Sequence, residues 1–232
     1  MNLYLKPSLS KDFPHYVVRK SILHLLKENI KRFKGDVIDL GCGIMPYKQL
    51  ILSEKNVTSY TGIDLKVNPE QNVYPDICWD GKTIPVESGS IDALLLTEVI
   101  EHLQNPVEVL LEVNRVLKKD GFIIGSTPFF WPLHEVPNDK QRFSPYGLEH
   151  VLHQAGFSSI SISAAGGWNV SMAQFLSTYI QFGVSSPLIK KIYKALFYFP
   201  IIWLSSSMKT ITVFENKLMI NLLFFTAIKK GE

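Results

Sequence analysis

The sequence is short of cysteine, of charge of one sign and of long apolar runs. Its two cysteines, Cys42 and Cys78, cannot build a disulfide framework. No Cys-x-x-Cys pair is present for zinc, and no metal is expected. Such sparing use of cysteine points to a reducing, cytoplasmic setting. Lys and Arg number 24 against 21 Asp and Glu, a net charge of +3. A dedicated nucleic-acid binder is usually far more basic, so no nucleic-acid partner is expected. Met1 to Lys20 carries Pro7, Asp12, Pro14 and Arg19 among its apolar residues, which denies it the apolar core of a signal peptide. No stretch approaches the ~20 apolar residues that span a bilayer. The nearest, Ala195 to Leu204, is broken by Pro200. There is no internal repeat and no low-complexity tract.

What is present is an ordinary globular composition over 232 residues. A chain of this length buries roughly 70–75% of its unfolded surface and needs no covalent staple. His15 to Phe33 reads as an amphipathic helix, with Val18, Ile22, Leu25 and Leu26 on one face. Short apolar runs then alternate with helical patterns. Val37–Leu40, Tyr60–Leu65, Ile91–Leu96 and Phe122–Ser126 have the continuous character of parallel strands covered on both faces. A helix is expected from Asn105-Pro106 to Leu117, with Asn105 as cap, and another from Ser144-Pro145 to Ala155. Phe157–Ile162 and Leu222–Ile228 complete the strands. Cys42 is expected to be a small turn residue and Cys78 to pack. The reading is a doubly wound, mostly parallel α/β sheet.

The most informative run is Val37-Ile38-Asp39-Leu40-Gly41-Cys42-Gly43-Ile44-Met45-Pro46-Tyr47. A strand feeds a glycine turn, where the backbone can approach a ligand closely. The dinucleotide fingerprint needs a third glycine where Pro46 stands, so a nicotinamide-dependent oxidoreductase is the weaker alternative. Asp39 would repel a pyrophosphate but suits a cofactor that carries an ammonium group, as S-adenosylmethionine does. Asp64 follows Gly43 by 21 residues at a strand end, where an acid accepts bonds from ribose hydroxyls.

Asp39-Leu40-Gly41-Cys42-Gly43 with Ile63-Asp64 resembles the class I S-adenosylmethionine-dependent methyltransferases, type 11-like and bacterial. Asp80–Val86 with Ser90-Ile91-Asp92, Thr97–Leu103 and Arg115–Gly121 resemble further segments of that family in order. The match runs from about Val37 to Phe157. Met45 departs from it, standing where many members keep a third glycine. The resemblance implies a seven-stranded Rossmann-like sheet whose last strand is antiparallel. It implies that Asp39, Gly41 and Gly43 line the methionine end and that Asp64 takes the ribose. Asp80, with Gly81, would hold the adenine, Asp76 being the alternative acid. Thr97 and Glu98 would stand near the sulfonium. A single methyltransferase domain is expected. Residues 1–34 would form a helical cap, 35–165 the cofactor core, 166–221 a helical insertion, and 222–232 the last strand and tail.

Ligands of a parallel sheet bind beyond the strands' carboxyl ends, so Thr127 to Arg142 is the expected acceptor loop. Its candidates are His134 as general base, Arg142 to grip an acceptor anion or pair with Asp139 or Glu135, and Asp139 itself. The loop resembles a bacterial subset of the family associated with cell-surface sugar modification. His102 is expected to brace the turn near Asn105. The function read from all this is O-methylation of a small-molecule, sugar or lipid-linked acceptor. The alternatives are the oxidoreductase and a non-catalytic module of the same fold.

From Trp168 to Asn221 the chain holds 10 of its 27 aromatic residues, with five lysines and one glutamate. Ile189, Ile192, Tyr193, Leu196 and Phe197 fall on one helical face and Lys190, Lys191 and Lys194 on the other. Residues 187–204 are therefore a candidate for peripheral contact with the inner membrane face, the alternatives being a lid, a core helix or a homodimer interface.

Overall fold

The computed structural model of this chain describes residues 2–65, 74–212 and 219–230. Among the described residues, eight strands form one sheet: β1 (Gly35–Leu40), β2 (Val57–Asp64), β3 (Ile77–Cys78), β4 (Ile91–Thr97), β5 (Leu117–Pro128), β6 (Phe157–Ala165), β7 (Thr210–Thr212) and β8 (Leu222–Lys229). Their order is β3-β2-β1-β4-β5-β8-β6-β7. The first five pair in parallel, and β8 runs antiparallel between β5 and β6. The sheet thus has one strand more than the seven expected. Two of the eight, Ile77–Cys78 and Thr210–Thr212, are edge pieces too short to show any pattern in the sequence. Cys78, expected to pack, is exposed on such an edge.

Alternation along the strands divides the core between the two faces of the sheet. Ile38, Leu94, Leu96 and Ile123 point to one side, with α3 (Pro106–Val116) and α4 (Pro145–Gln154). Val37, Ala93, Leu95 and Ile124 point to the other, with α1 (Tyr16–Asn29). Ser144 caps α4 by accepting from the Gly147 N–H at 3.1 Å. Asn105 makes no such side-chain bond at the start of α3, contrary to expectation. That end is set by Pro106 at the first helical turn, which has no N–H to satisfy. The glycine turn after β1 leads into a helix of only five residues, α2 (Lys48–Leu52).

A third apolar cluster joins the N-terminal segment to the helices that follow β6. Leu9, Phe13 and Val17 pack with Val170, Ala173, Ile180 and Ile201, from α5 (Trp168–Thr178), the helical turn Tyr179–Gly183 and α6 (Pro187–Ser206). Tyr193 and Phe197 of α6 also turn into this cluster. Ile189, Ile192 and Leu196 face outward instead, with Leu188, Phe199 and Trp203. The single apolar face expected for this helix is therefore two. The lysines are not a free opposite face either, since Lys190 donates to the Gln181 carbonyl at 2.7 Å and Lys194 lies 5.0 Å from the Phe13 ring.

Candidate active site

The sheet reverses its winding between β1 and β4, and the strand ends there open a crevice. On the β1 side the chain turns at Gly41 (φ +73°) and Gly43 (φ +49°). Only glycine suits Gly41, because a Cβ there would lie 2.3 Å from Val99 Cγ2. A Cβ on Gly43 would meet nothing within 4 Å, so this glycine fronts open space. The Gly43 N–H donates to Asp64 Oδ2 at 2.8 Å, and Leu65 N–H to Oδ1 at 2.7 Å. Asp64 therefore ties the end of β2 to the turn, and each oxygen keeps a further lone pair for a ligand.

Asp39 is buried at the carboxyl end of β1. Tyr60 on β2 donates its hydroxyl to Asp39 Oδ2, while Oδ1 has no partner. Burial pushes the Asp39 carboxyl up to about 7; the Tyr60 bond works against this and the Asp64 charge adds to it. A buried carboxylate with an unpaired oxygen is costly unless it meets a cation. The ammonium of a bound amino acid moiety is such a cation, so this cradle fits the methionine end of S-adenosylmethionine. Tyr47, whose buried hydroxyl also lacks a partner, stands near it.

Met45 takes φ +50° in place of a third glycine. Its thioether fills the space over Gly62, where a Cβ would come within 2.7 Å of the sulfur. Asp76 accepts from the Gly62 N–H at 2.8 Å and pairs with Lys48 at 3.3 Å, so it braces the turn from below. Asp80 is exposed and accepts from the N–H groups of Lys82 and Thr83 at 2.8 and 2.9 Å. These bonds hold its carboxyl below the ordinary range. Leu65 is exposed beside Gly81, which leaves an apolar edge and a carboxylate at the same place.

Across the crevice, β4 ends at Thr97 and the chain passes through Glu98 (φ +55°) into a short turn, Ile100–His102. Adjacent residues of β5 hold the two acids: Ser126 donates to Glu98 Oε1 at 2.7 Å, and Thr127 to Glu101 Oε2 at 3.2 Å. Burial pushes the Glu98 carboxyl up to about 7. Burial, with the Glu98 charge beside it, raises that of Glu101 well above its ordinary value.

The 129–143 loop is stapled onto this turn. The N–H groups of Lys140 and Gln141 donate to the Glu101 carbonyl at 3.0 and 3.2 Å. His134 then stacks edge-on against His102, ring centres 4.9 Å apart. His102 Nδ1 meets the Asn138 carbonyl at 3.2 Å, so it braces this loop and not the turn at Asn105. Asp139 is paired in a two-pronged fashion with Arg142, the second contact at 2.7 Å, and accepts from the His134 N–H at 3.2 Å. Of the two roles weighed for Arg142, the structure displays the pair with Asp139. Burial lowers the His134 imidazole below its ordinary value, so it is neutral at neutral pH and has a lone pair to offer.

Residues 13–162 match the family of the methyltransferase domain. The chain belongs to this methyltransferase family. It is an enzyme class whose methyl donor is S-adenosylmethionine, in agreement with the fit of the Asp39 cradle. An uncharacterized protein of Methanocaldococcus jannaschii, MJ1123, is 24% identical over 159 residues, 62% of this chain and 74% of its own length. A S-adenosylmethionine-dependent methyltransferase of Thermotoga maritima has the same fold, with a TM-score of 0.58 at 13% identity over 99% of this chain and all of its own. Phosphoethanolamine N-methyltransferase 2 of Haemonchus contortus, determined with phosphomonomethylethanolamine and S-adenosylhomocysteine, gives 0.58 at 13% identity. That match covers 98% of this chain and 59% of the other.

In this methyltransferase the sequence motifs located the turn and the crevice but not what stabilises them. Tyr60, the partner of Asp39, lies in the strand before Asp64 and carries no motif of its own. Glu101 was visible only as part of a segment, Thr97 to Leu103. The signal that could have found it is a Glu-x-x-Glu-His run placed directly after a buried strand.

Proposed function

We propose that this methyltransferase acts on a hydroxyl of a sugar, lipid-linked or other small acceptor that enters between the β4 turn and the 127–142 loop. The observation that carries the proposal is the polar cluster of Glu98, Glu101, His102 and His134 beyond the ends of β4 and β5. S-adenosylmethionine supplies a methyl group on a positively charged sulfur, which becomes a neutral thioether as the methyl leaves. Asp39 binds its ammonium end, Gly43 lets it approach, and Asp64 takes its ribose hydroxyls; Asp80 with Gly81 holds the adenine. Thr97 and Glu98 border the sulfonium. His134, neutral and set by Asp139 and Arg142, activates the acceptor hydroxyl. The acceptor oxygen gives up its proton to water and forms the new bond to carbon as the sulfur–carbon bond breaks.

One feature favours a sugar hydroxyl as the acceptor. Aromatic side chains on the loop, Phe129, Phe130 and Trp131, with Phe175 and Phe182 behind them, offer flat apolar faces of the kind that pack on a sugar ring. The test is transfer of an isotopically labelled methyl group, with an ether expected as the product.

We also propose that α6 rests on a lipid surface. No described helix is long and apolar enough to cross a membrane, but Leu188 (69% exposed), Phe199 (76%) and Trp203 (71%) lie in one stripe. Because two of the three lysines are engaged with the protein, the apolar stripe carries the binding. The wild type should pellet with anionic liposomes, and Phe199→Ser with Trp203→Ser should stay in solution while binding S-adenosylmethionine normally. Pelleting unchanged in that double variant would overturn the assignment. A wild-type dimer in place of pelleting would identify the stripe as a contact between copies.

A further inference from the structure

We propose that Glu101, His102 and His134 bind a divalent transition-metal ion, of the manganese-to-zinc series, which holds the acceptor hydroxyl. The proposal rests on the reading of the 127–142 loop as the acceptor site and gives that site its chemistry.

One ligand atom from each of the three side chains lies within 4.8 Å of the others. Three donors about 2.1 Å from a common tetrahedral ion are separated by ~3.4 Å, so the side chains must draw together by at most ~1.4 Å to close on it. Glu101 is fully buried and its Oε1 has no hydrogen-bond partner. Its other oxygen is fixed by Thr127. A buried carboxylate with one oxygen held and the other unpaired is placed to receive a cation.

The histidines are prepared in the same sense. His102 Nδ1 is turned to the Asn138 carbonyl, and its Nε2 lies 3.7 Å from Glu101 Oε1. A ring nitrogen on a backbone carbonyl fixes the tautomer and leaves the other nitrogen's lone pair for a metal. His134 Nδ1 is buried without a hydrogen bond, although Asp139 Oδ2 is 3.1 Å away. Asp139 is committed to Arg142 and thus supports the ring from outside. The loop and the β4 turn are joined by the Lys140 and Gln141 bonds to the Glu101 carbonyl and by Gln141 Nε2 to the Leu103 carbonyl at 3.0 Å, so the three side chains are held together by the fold.

The donor set decides the ion. Two imidazoles and one carboxylate suit manganese, iron, cobalt or zinc, whereas magnesium and calcium prefer oxygen throughout. Three protein ligands leave a position open, which marks a site that takes a further ligand. An acceptor hydroxyl there would lose its proton to water more readily, because the ion stabilises the alkoxide. The oxygen then bonds to the methyl carbon, the sulfur–carbon bond breaks, and its electron pair stays on sulfur. His134 thereby activates the hydroxyl through the ion and does not take the proton itself.

The test is equilibrium dialysis of the chelator-stripped full chain against Co²⁺, Zn²⁺ and Mg²⁺, with the visible absorption of bound Co²⁺ as a second readout. One Co²⁺ or Zn²⁺ per chain is expected, displacing any Mg²⁺. His102→Ala and His134→Ala should each weaken Co²⁺ binding at least tenfold and leave S-adenosylmethionine affinity within a few-fold. Glu101→Gln serves as the third variant, with its fold checked by thermal unfolding. No stoichiometric Co²⁺ or Zn²⁺ in the wild type, or equal affinity in both histidine variants, would overturn the metal site. If that happens while His134→Ala still loses turnover, the acceptor reading stands without the ion.

Discussion

His134→Ala should lower turnover by ~10²–10⁴-fold, the range for losing the group that activates a reacting hydroxyl. The affinity for S-adenosylmethionine should stay within a few-fold. The reason is the partition of the crevice: His134 reaches the site from the loop after β5, on the side of Glu101 and His102, and shares no bond with Asp39, Gly43 or Asp64. His134→Asn should be as damaging, since the amide fills the space without an imidazole lone pair. Single-turnover kinetics beside a calorimetric titration of the cofactor would separate the two effects. Equal loss of cofactor affinity would move His134 to the other side of the crevice.

Asp39→Asn should lose at least tenfold in S-adenosylmethionine affinity, because a hydrogen bond to a charged group contributes about 1.5–3 kcal/mol. The same variant should be the more stable protein without cofactor at pH 8. The sign follows from linkage. The Asp39 carboxyl sits at about 7 in the fold against an ordinary 3.8. The native state therefore holds a proton that the unfolded chain gives up, and the stability linked to it is full below pH 4. It is lost as pH rises through 7, by a few kcal/mol in all. Asn has no charge to bury, so its unfolding curve should be flatter over that window and cross above the wild type. Cofactor binding near pH 6 should in turn release a proton from Asp39, and release less as pH approaches 8. Tyr60, Tyr47 and the Cys42 thiol face the same carboxyl, and burial raises all three, so none of them charges within this window, while the Asp64 charge acts in the same direction as the burial of Asp39. Thermal unfolding from pH 4 to 8, with and without cofactor, checks all of this. A wild type more stable than Asp39→Asn at pH 8 without cofactor would contradict it.

The long buried strands were legible because their apolar runs are continuous. The glycine turn was legible because a strand, Gly41 and Gly43 stand in sequence with an acid on either side. Thr210–Thr212 was not, because three residues carry no period and the strand exists only by pairing with β6. The extra edge strand is a tertiary effect. Helix α6 shows a second reason. Its sequence has apolar residues nearly all round, so the pattern could not say which of them would meet Phe13 and Val17 from the other end of the chain. The placement of Asp39 and Asp64 at the carboxyl ends of β1 and β2 was readable from the sequence. The junction of Glu101 with His134 was not, since it depends on how the loop folds back onto the β4 turn through Lys140 and Gln141.

Hydroxyl methylation is tested most directly by incubating the protein with methyl-labelled S-adenosylmethionine and separated glycan and polar-lipid fractions, and locating the label in the product by mass spectrometry. The wild type should place it on oxygen, as an ether. Gly43→Val, which puts a side chain into the open space before the turn, should place none. Label on nitrogen in the wild-type product would contradict the account.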